Sequence, residues 1–419
     1  MNKKFIYSCV TCSAEYPGEG VHYRCPSCAK SDVEGQPHRG MLKVEYSQWY
    51  KFKGSPEERL SFLQNEGFLS LLPIQNLKSL GYLRVGNTPV YTINMLDAKV
   101  LPFQLMLKDD SQNPTFSFKD RASAMVSAFA KENGKNILLA ASTGNAGSSL
   151  AGICASQGQK AIILAPAAAP IAKLTQIIMY GALLIAVDGN YDAAFDLSVQ
   201  LTEKYGWYNR NTAYNPITTE GKKTVAFEIV SQFLNELPDR IYVPCGDGVI
   251  LCGVYKGFED LLNMGIIDKI PVIIAVQAEG SDNLIRNFYT DTFVAKPSAT
   301  RADSISVDIP RNFYMAKHYH LKYQGENVTV SDQEIMEASA TLSRNTGIFS
   351  EPAAAAAFAG MLKNMSEGRI PEQSRNLILL TGSGLKDVNF VRTHVLTPQP
   401  VKADLGSVSR FLEKNGYLK

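Results

Sequence analysis

The chain has 419 residues, 45% apolar and 20% charged, the profile of an ordinary globular protein with room for two or three domains. Its 42 basic and 40 acidic side chains leave a formal net charge of +2, which gives no electrostatic case for nucleic acid or an anionic membrane as partner. No secretory apolar segment follows Met1-Asn2-Lys3-Lys4, no run reaches the roughly 18 apolar residues of a membrane helix, and seven cysteines do not make a disulfide framework, so a cytoplasmic protein is expected.

Residues 1–40 are rich in Cys, Pro, Gly and Ser. Cys9-x2-Cys12 and Cys25-x2-Cys28 are separated by twelve residues. Each knuckle can turn two thiolates toward one cation, and two knuckles complete a tetrahedral all-sulfur site suited to zinc. Four thiolates leave no open coordination position, so the expected metal is structural. Helix-like patches such as Glu57 to Leu63 follow, and Gly81 and Gly86 punctuate the approach to Thr88-Pro89. The apolar run Leu105-Met106-Leu107 ends at Lys108, which is expected to leave a strand edge.

Short apolar strands then alternate with helical segments. The strands are expected at Ile137–Ala141, Ala161–Ala165, Leu183–Val187, Arg240–Val243, Val272–Gln277 and Asn376–Leu380. The helical segments run over Ala122–Glu132, Ala172–Tyr180, Tyr191–Tyr205 and Thr224–Leu234, and Ser331-Asp332-Gln333-Glu334 is a capping-box start for another. This alternation predicts a two-lobed α/β fold with mostly parallel sheets covered on both faces.

Four loops carry the chemistry. Lys119 follows Asn113-Pro114-Thr115-Phe116-Ser117-Phe118 where a helix begins, a place where desolvation near positive groups holds an amine neutral. Ser142-Thr143-Gly144-Asn145 leaves one predicted strand, Gly246-Asp247-Gly248-Val249-Ile250 another, and Thr381-Gly382-Ser383-Gly384 a third. Hydroxyls, an amide and bare backbone N–H groups at such turns receive anions. Open α/β sheets place ligands at these strand ends, so four loops together decide what each alone would not. Cys154, Cys245 and Cys252 lie in apolar or Gly-rich contexts and are read as buried fillers.

As an ordered set, these blocks resemble the threonine synthases, pyridoxal-phosphate enzymes of fold type II. The resemblance runs from the ribbon-like start through Gly86-Asn87-Thr88-Pro89, the Lys119 block, Ser142 to Asn145, Asn211 to Thr224, the Gly246 loop and Glu351-Pro352-Ala353 to Thr381-Gly382-Ser383-Gly384-Leu385-Lys386-Asp387. It implies that Lys119 holds pyridoxal phosphate as a Schiff base and then shuttles protons. Asn145 would meet the cofactor's 3′-oxygen, Gly246, Asp247, Gly248, Val249 and Ile250 its phosphate, and Thr381 its ring nitrogen. Ser142 and Thr143 would meet the substrate carboxylate, with Asn215 and Lys223 as further substrate contacts. The implied reaction converts O-phosphohomoserine and water to threonine and phosphate. The implied partner is a small amino-acid substrate, and the implied assembly a homodimer.

The implied domains are a zinc-ribbon-like segment at 1–40, a larger cofactor-binding domain at 41–125 and 222–419, and a smaller α/β domain at 126–221. The chain departs from the family pattern at Phe116, where glycine is usual, and at Ala146, where threonine is usual. Thr218 stands in place of an arginine, and Asp247 and Val249 replace Asn and Gly. The Ala146 and Thr218 changes touch the side expected to grip a substrate phosphate. Asn215, Lys222, Lys223, Arg121 and Lys108 remain as candidate partners there. Competing readings are a β-replacement enzyme on O-phosphoserine resembling cysteate synthase, an ammonia-lyase on serine or threonine, and a non-catalytic protein of the same fold.

Overall fold

A computed structural model describes residues 4–47, 53–392, 395 and 398–418; the first three residues of the basic start lie outside them. Two units are formed, Met1–Lys386 and Asp387–Lys419. Within the larger unit the chain opens with β1 (Phe5–Cys9), β2 (Glu15–Pro17) and β3 (Leu42–Tyr46), an antiparallel sheet in the order β2-β1-β3. Strict alternation buries Phe5, Tyr7 and Cys9 on β1 and Leu42, Val44 and Tyr46 on β3, as a one-faced sheet requires.

Strands β4 (Val90–Leu96) and β5 (Lys99–Asp109) then begin a second sheet. Four strands build a third: β6 (Ile137–Ala141), β7 (Lys160–Pro166), β8 (Leu183–Val187) and β9 (Tyr208–Asn209). The chain returns with β10 (Arg240–Pro244), β11 (Val272–Ala278), β12 (Glu326–Val330) and β13 (Arg375–Leu380). The six-stranded sheet reads β12-β11-β10-β13-β5-β4 and the four-stranded one β8-β7-β6-β9. Every pairing in these two sheets is parallel except β4 with β5. Near-continuous apolar burial of β6, β10, β11 and β13 is what helices on both faces produce.

The expected helices form at Lys119–Glu132, Ile171–Met179, Tyr191–Tyr205 and Thr224–Phe233. The first starts three residues earlier than Ala122, so Lys119 itself opens it. The capping box is closed: Ser331 Oγ accepts from Glu334 N at 3.2 Å, and Ser331 N donates to Glu334 at 2.6 Å. Lys108 does not leave a strand edge. β5 continues through Asp109, and Lys108 is fully buried because Glu228 accepts from its Nζ at 2.7 Å. No helix among the described residues is long and apolar enough to cross a membrane. The smaller unit holds a short helix, Val388–Arg392, and the helix Leu405–Lys414, capped by Asp404 accepting from Ser407 N at 2.8 Å.

Candidate active site

Lys119 stands at the first turn of the helix Lys119–Glu132, and the segment before it is stitched to the loop after β13. Phe118 N donates to Thr381 O at 2.8 Å and Ser383 N to Phe116 O at 3.1 Å. On its other side that loop meets Glu351, whose N–H donates to Gly382 O at 3.0 Å. A Cβ on Gly382 would lie 2.3 Å from Glu351 Oε1, so only glycine lets the carboxylate approach. Glu351 in turn accepts from Asn145 Nδ2 at 2.8 Å. Lys119, Thr381 and Asn145 are thus drawn together around one buried carboxylate.

Asn145 opens the helix Asn145–Gln157. In the turn before it, Ser142 Oγ accepts from Gly144 N at 3.2 Å and Gly147 N at 3.0 Å, while Thr143 is half-buried. Across the last loop of the set, Lys386 Nζ donates to Ser148 Oγ at 2.9 Å and to Thr115 O at 3.2 Å. The third loop runs into the helix Val249–Asn263, with Gly248 as its cap at a left-handed φ of 83°. A Cβ on Gly246 would stand 3.0 Å from Ile305 Cα, and one on Gly248 3.0 Å from Ala316 Cβ. Asp247 is anchored by Arg311 N, which donates to its carboxylate at 3.1 Å. Val249 and Ile250 are the first two residues of the helix, so their amides have no partner within it.

Burial pushes the Lys119 amine below the usual lysine range; Glu351 opposes this, Arg210 adds to it and Asp247 opposes it. Arg210 is fully buried. Its Nε donates to Ser123 Oγ at 3.2 Å and its Nη1 to Thr212 Oγ1 at 2.8 Å, while Nη2 has no partner among the described residues. Burial lowers this guanidinium to about 10. Lys222 is also fully buried with no partner for Nζ among the described residues, and burial, then Lys119, then Arg210, hold it well below the usual range.

The remaining candidate phosphate partners are used elsewhere. Lys223 Nζ bonds Glu220, and donates to Asp260 at 2.7 Å. Arg121 is clasped by Asp110 and Glu228, and Lys108 by Glu228. Asn215 spends its side chain on Asn209 O at 2.7 Å and Ile217 N at 2.9 Å. Each buried charge or amide has a partner close by, Arg121 and Lys108 through Glu228 on another element and Lys223 through Glu220 and Asp260. Sequence reading missed Arg210, which lies beside β9 with no motif around it, and took Glu351-Pro352-Ala353 only as a block of the resemblance, with no role for the carboxylate.

These residues fit pyridoxal phosphate: a half-buried amine held below the usual lysine range, an amide and hydroxyls near it, and a glycine-lined helix start for its phosphate. The ribbon sulfurs fit a metal. Ligand atoms of Cys9, Cys12, Cys25 and Cys28 all lie within 4.8 Å of one another. Cys9–Cys28 and Cys12–Cys25 are each 3.8 Å apart. A tetrahedron with metal–sulfur bonds of about 2.3 Å has an edge of about 3.8 Å. Cys154, Cys245 and Cys252 are buried and free.

The family model described as pyridoxal-phosphate dependent enzyme matches residues 82–382. A threonine synthase of Methanocaldococcus jannaschii is 34% identical over 98% of this chain and 100% of its own length. One from Methanosarcina acetivorans is 32% identical over 96% of each. Among solved structures, maize serine racemase superposes with a TM-score of 0.61 at 21% identity, covering 80% of this chain and 94% of that one. The fold is that of the type II pyridoxal-phosphate enzymes, with mostly parallel sheets.

Proposed function

The chain belongs to the threonine synthase family of pyridoxal-phosphate-dependent enzymes, and on that premise we propose that it converts O-phosphohomoserine and water to threonine and phosphate. The observation that carries this is Lys119, a half-buried amine held below the usual lysine range at the meeting point of the loops bearing Asn145, Glu351 and Thr381. Pyridoxal phosphate, when bound, supplies the electron sink that makes the α and β protons of an amino acid acidic.

Lys119 holds the cofactor, and its neutral amine takes the proton from the substrate's α-carbon. Glu351 then balances the ammonium that forms, at a site where an uncompensated charge would be costly. Asn145 is placed by Glu351 for the cofactor's 3′-oxygen, and Thr381 offers the ring nitrogen a neutral hydroxyl. Gly246 to Ile250 present backbone N–H groups to the cofactor phosphate. Ser142 and Thr143 take the substrate carboxylate, with the Ser142 hydroxyl oriented by the two amides it accepts from.

The cysteine cluster holds one structural zinc in a ribbon over residues 1–40, supported by the match between sulfur spacing and a tetrahedral site. We assign residues 41–125 and 222–386 to the larger cofactor-binding domain and 126–221 to the smaller one, with Asp387–Lys419 a unit of its own. The four-stranded sheet spanning 137–209 supports that division. The protein works as a homodimer in the cytoplasm, where the ribbon thiols stay reduced.

The test has two parts. Purified protein with pyridoxal phosphate shows an absorbance band at the edge of the visible that borohydride abolishes, and Lys119→Ala lacks it. Incubation with O-phosphohomoserine then yields threonine and phosphate in equal amounts. A visible band with ammonia loss from serine or threonine instead would move the protein to the ammonia-lyases. Sulfite-dependent phosphate release from O-phosphoserine would make it a β-replacement enzyme.

A further inference from the structure

Among the described residues buried cations are paired almost everywhere, which makes two exceptions informative. Lys222 Nζ and Arg210 Nη2 have no hydrogen-bond partner among the described residues, and both side chains are fully buried. Leaving such groups unmatched is costly unless something arrives to match them.

Their placement follows from two close backbone approaches. A Cβ on Gly221 would lie 2.2 Å from Arg121 O, so the helix Ile217–Lys222 rests directly on the first turn of the Lys119–Glu132 helix. A Cβ on Gly253 would lie 2.6 Å from Lys222 Cβ, so the helix Val249–Asn263 packs on the Lys222 stem. Lys222 is therefore wedged between the turn that carries Lys119 and the helix that follows the Gly246 loop. The charges it faces are Lys119, Arg210, Asp247 and the Cys252 thiol, and Asp247 alone among them is a carboxylate. The Asp247 carboxylate accepts from Arg311 N at 3.1 Å, and Lys222 Nζ is not among its partners.

Lys222 also stands one helical turn after Thr218, on the same helix face. Thr218 Oγ1 turns back to Asn215 O at 2.7 Å and supplies no charge, so the cation of this helix face is Lys222.

We propose that Lys222 and Arg210 together bind a phosphate dianion beside Lys119. The inference rests on the pyridoxal-phosphate reading above and adds to it the residues that grip the anion. Two sources share this chemistry, the phosphate that leaves the substrate and the phosphate of the cofactor. A dianion held between an ammonium and a guanidinium replaces their lost hydration with charge-assisted hydrogen bonds, and a water-excluded pocket strengthens these.

The experiment uses wild-type protein, Lys222→Met and Lys222→Arg, each as apoprotein and as holoenzyme. Inorganic phosphate is titrated into holoenzyme by calorimetry, and pyridoxal phosphate and pyridoxal into apoprotein by absorbance. Lys222→Met is expected to fold with a higher Tm than wild type, since it removes a buried amine that has no hydrogen-bond partner among the described residues. Phosphate should raise the Tm of wild type and Lys222→Arg but not that of Lys222→Met. In Lys222→Met, anion affinity should fall by about thirtyfold or more, the low end for losing one partner of a buried charge pair.

A loss confined to inorganic phosphate on holoenzyme assigns the pair to the substrate's phosphate. A loss of pyridoxal phosphate affinity with pyridoxal unchanged assigns it to the cofactor's. Equal behaviour of wild type and Lys222→Met in both titrations overturns the proposal. Wild type that binds phosphate through Lys222 yet makes no threonine from O-phosphohomoserine would overturn the reaction assigned above and leave this site standing.

Discussion

Phe116 holds a left-handed φ of 68°, where an L-side chain crowds its own backbone at a cost of about 1 kcal/mol. Its N–H donates to Asn113 O at 2.8 Å and its carbonyl accepts from Ser383 N at 3.1 Å, so the residue cannot relax out of that conformation. The ring is 52% exposed and contributes little burial to offset the strain. Replacing it separates backbone from side chain: Phe116→Gly should be more stable than Phe116→Ala by about 1 kcal/mol, the reverse of the order in a helix. Denaturant melts of both variants measure this, and an alanine variant as stable as the glycine one would remove the strain argument. At this scale the sequence was informative where a residue type is required by geometry and silent where pairing decides. Glycine at 382 and the run leading to Lys119 were readable. Which of Arg121, Lys222 and Lys223 is left without a partner among the described residues was not, because the carboxylates that pair the other two lie up to 107 residues away in the chain.

Between elements, one buried cluster ties β5, the Lys119–Glu132 helix and the Thr224–Phe233 helix together. Glu228 accepts from Lys108 Nζ at 2.7 Å, from Arg121 Nη2 at 2.9 Å and from Asn87 N at 2.7 Å. Burial alone would raise its carboxyl, but Arg121 and Lys108 outweigh that and hold it at about 2, against an ordinary 4.5. A folded-state pKa below the unfolded one stabilises above the unfolded pKa, and that stability disappears as pH falls through the folded value. Glu228 should therefore contribute on the order of 3 kcal/mol at neutral pH, lost between about pH 4.5 and 2. Glu259, held at about 2 by Lys43, Lys322 and Lys256 against the opposing effect of burial, loses its share in the same window. Glu228→Gln should be less stable than wild type at pH 7 by about 3 kcal/mol and show a flatter acid limb. Chemical denaturation at a series of pH values tests it, and parallel acid limbs would assign the cluster no role. Strands of the parallel sheets were legible because they are apolar throughout: Ile137–Ala141 and Leu183–Val187 form as expected. β12 escaped notice because it is an edge strand, Glu326-Asn327-Val328-Thr329-Val330, with only Val328 and Val330 buried. β4, another edge, is likewise mostly exposed.

Across the larger unit, the cysteine ribbon is more than an appendage. Tyr23 Oη accepts from Asn209 N at 2.9 Å, Lys43 Nζ donates to Glu259 at 3.1 Å, and Tyr46 Oη donates to Glu220 at 2.7 Å. Glu220 belongs to the Ile217–Lys222 helix and also bonds Lys223, so β3 bears on the element that presents Lys222. The knuckle spacing pointed to the cysteine cluster, but this docking was illegible, since it joins Tyr46 to a residue 174 positions away. A metal that closes the ribbon should therefore stabilise the body it is bonded to, because site and fold form together. Purified protein should carry one zinc per chain by mass spectrometry. Chelation, or Cys12→Ser, should lower its Tm by at least about 1–2 °C, the shift that 1–2 kcal/mol produces in a protein of this size. The visible cofactor band should survive, since four thiolates complete their own coordination and none is among the residues gathered around Lys119. The stabilisation by inorganic phosphate should shrink on chelation if β3 helps hold the Ile217–Lys222 helix in place, and Tyr46→Phe should reproduce that effect with zinc still bound. An unchanged Tm after complete metal removal would reduce the ribbon to a passive attachment.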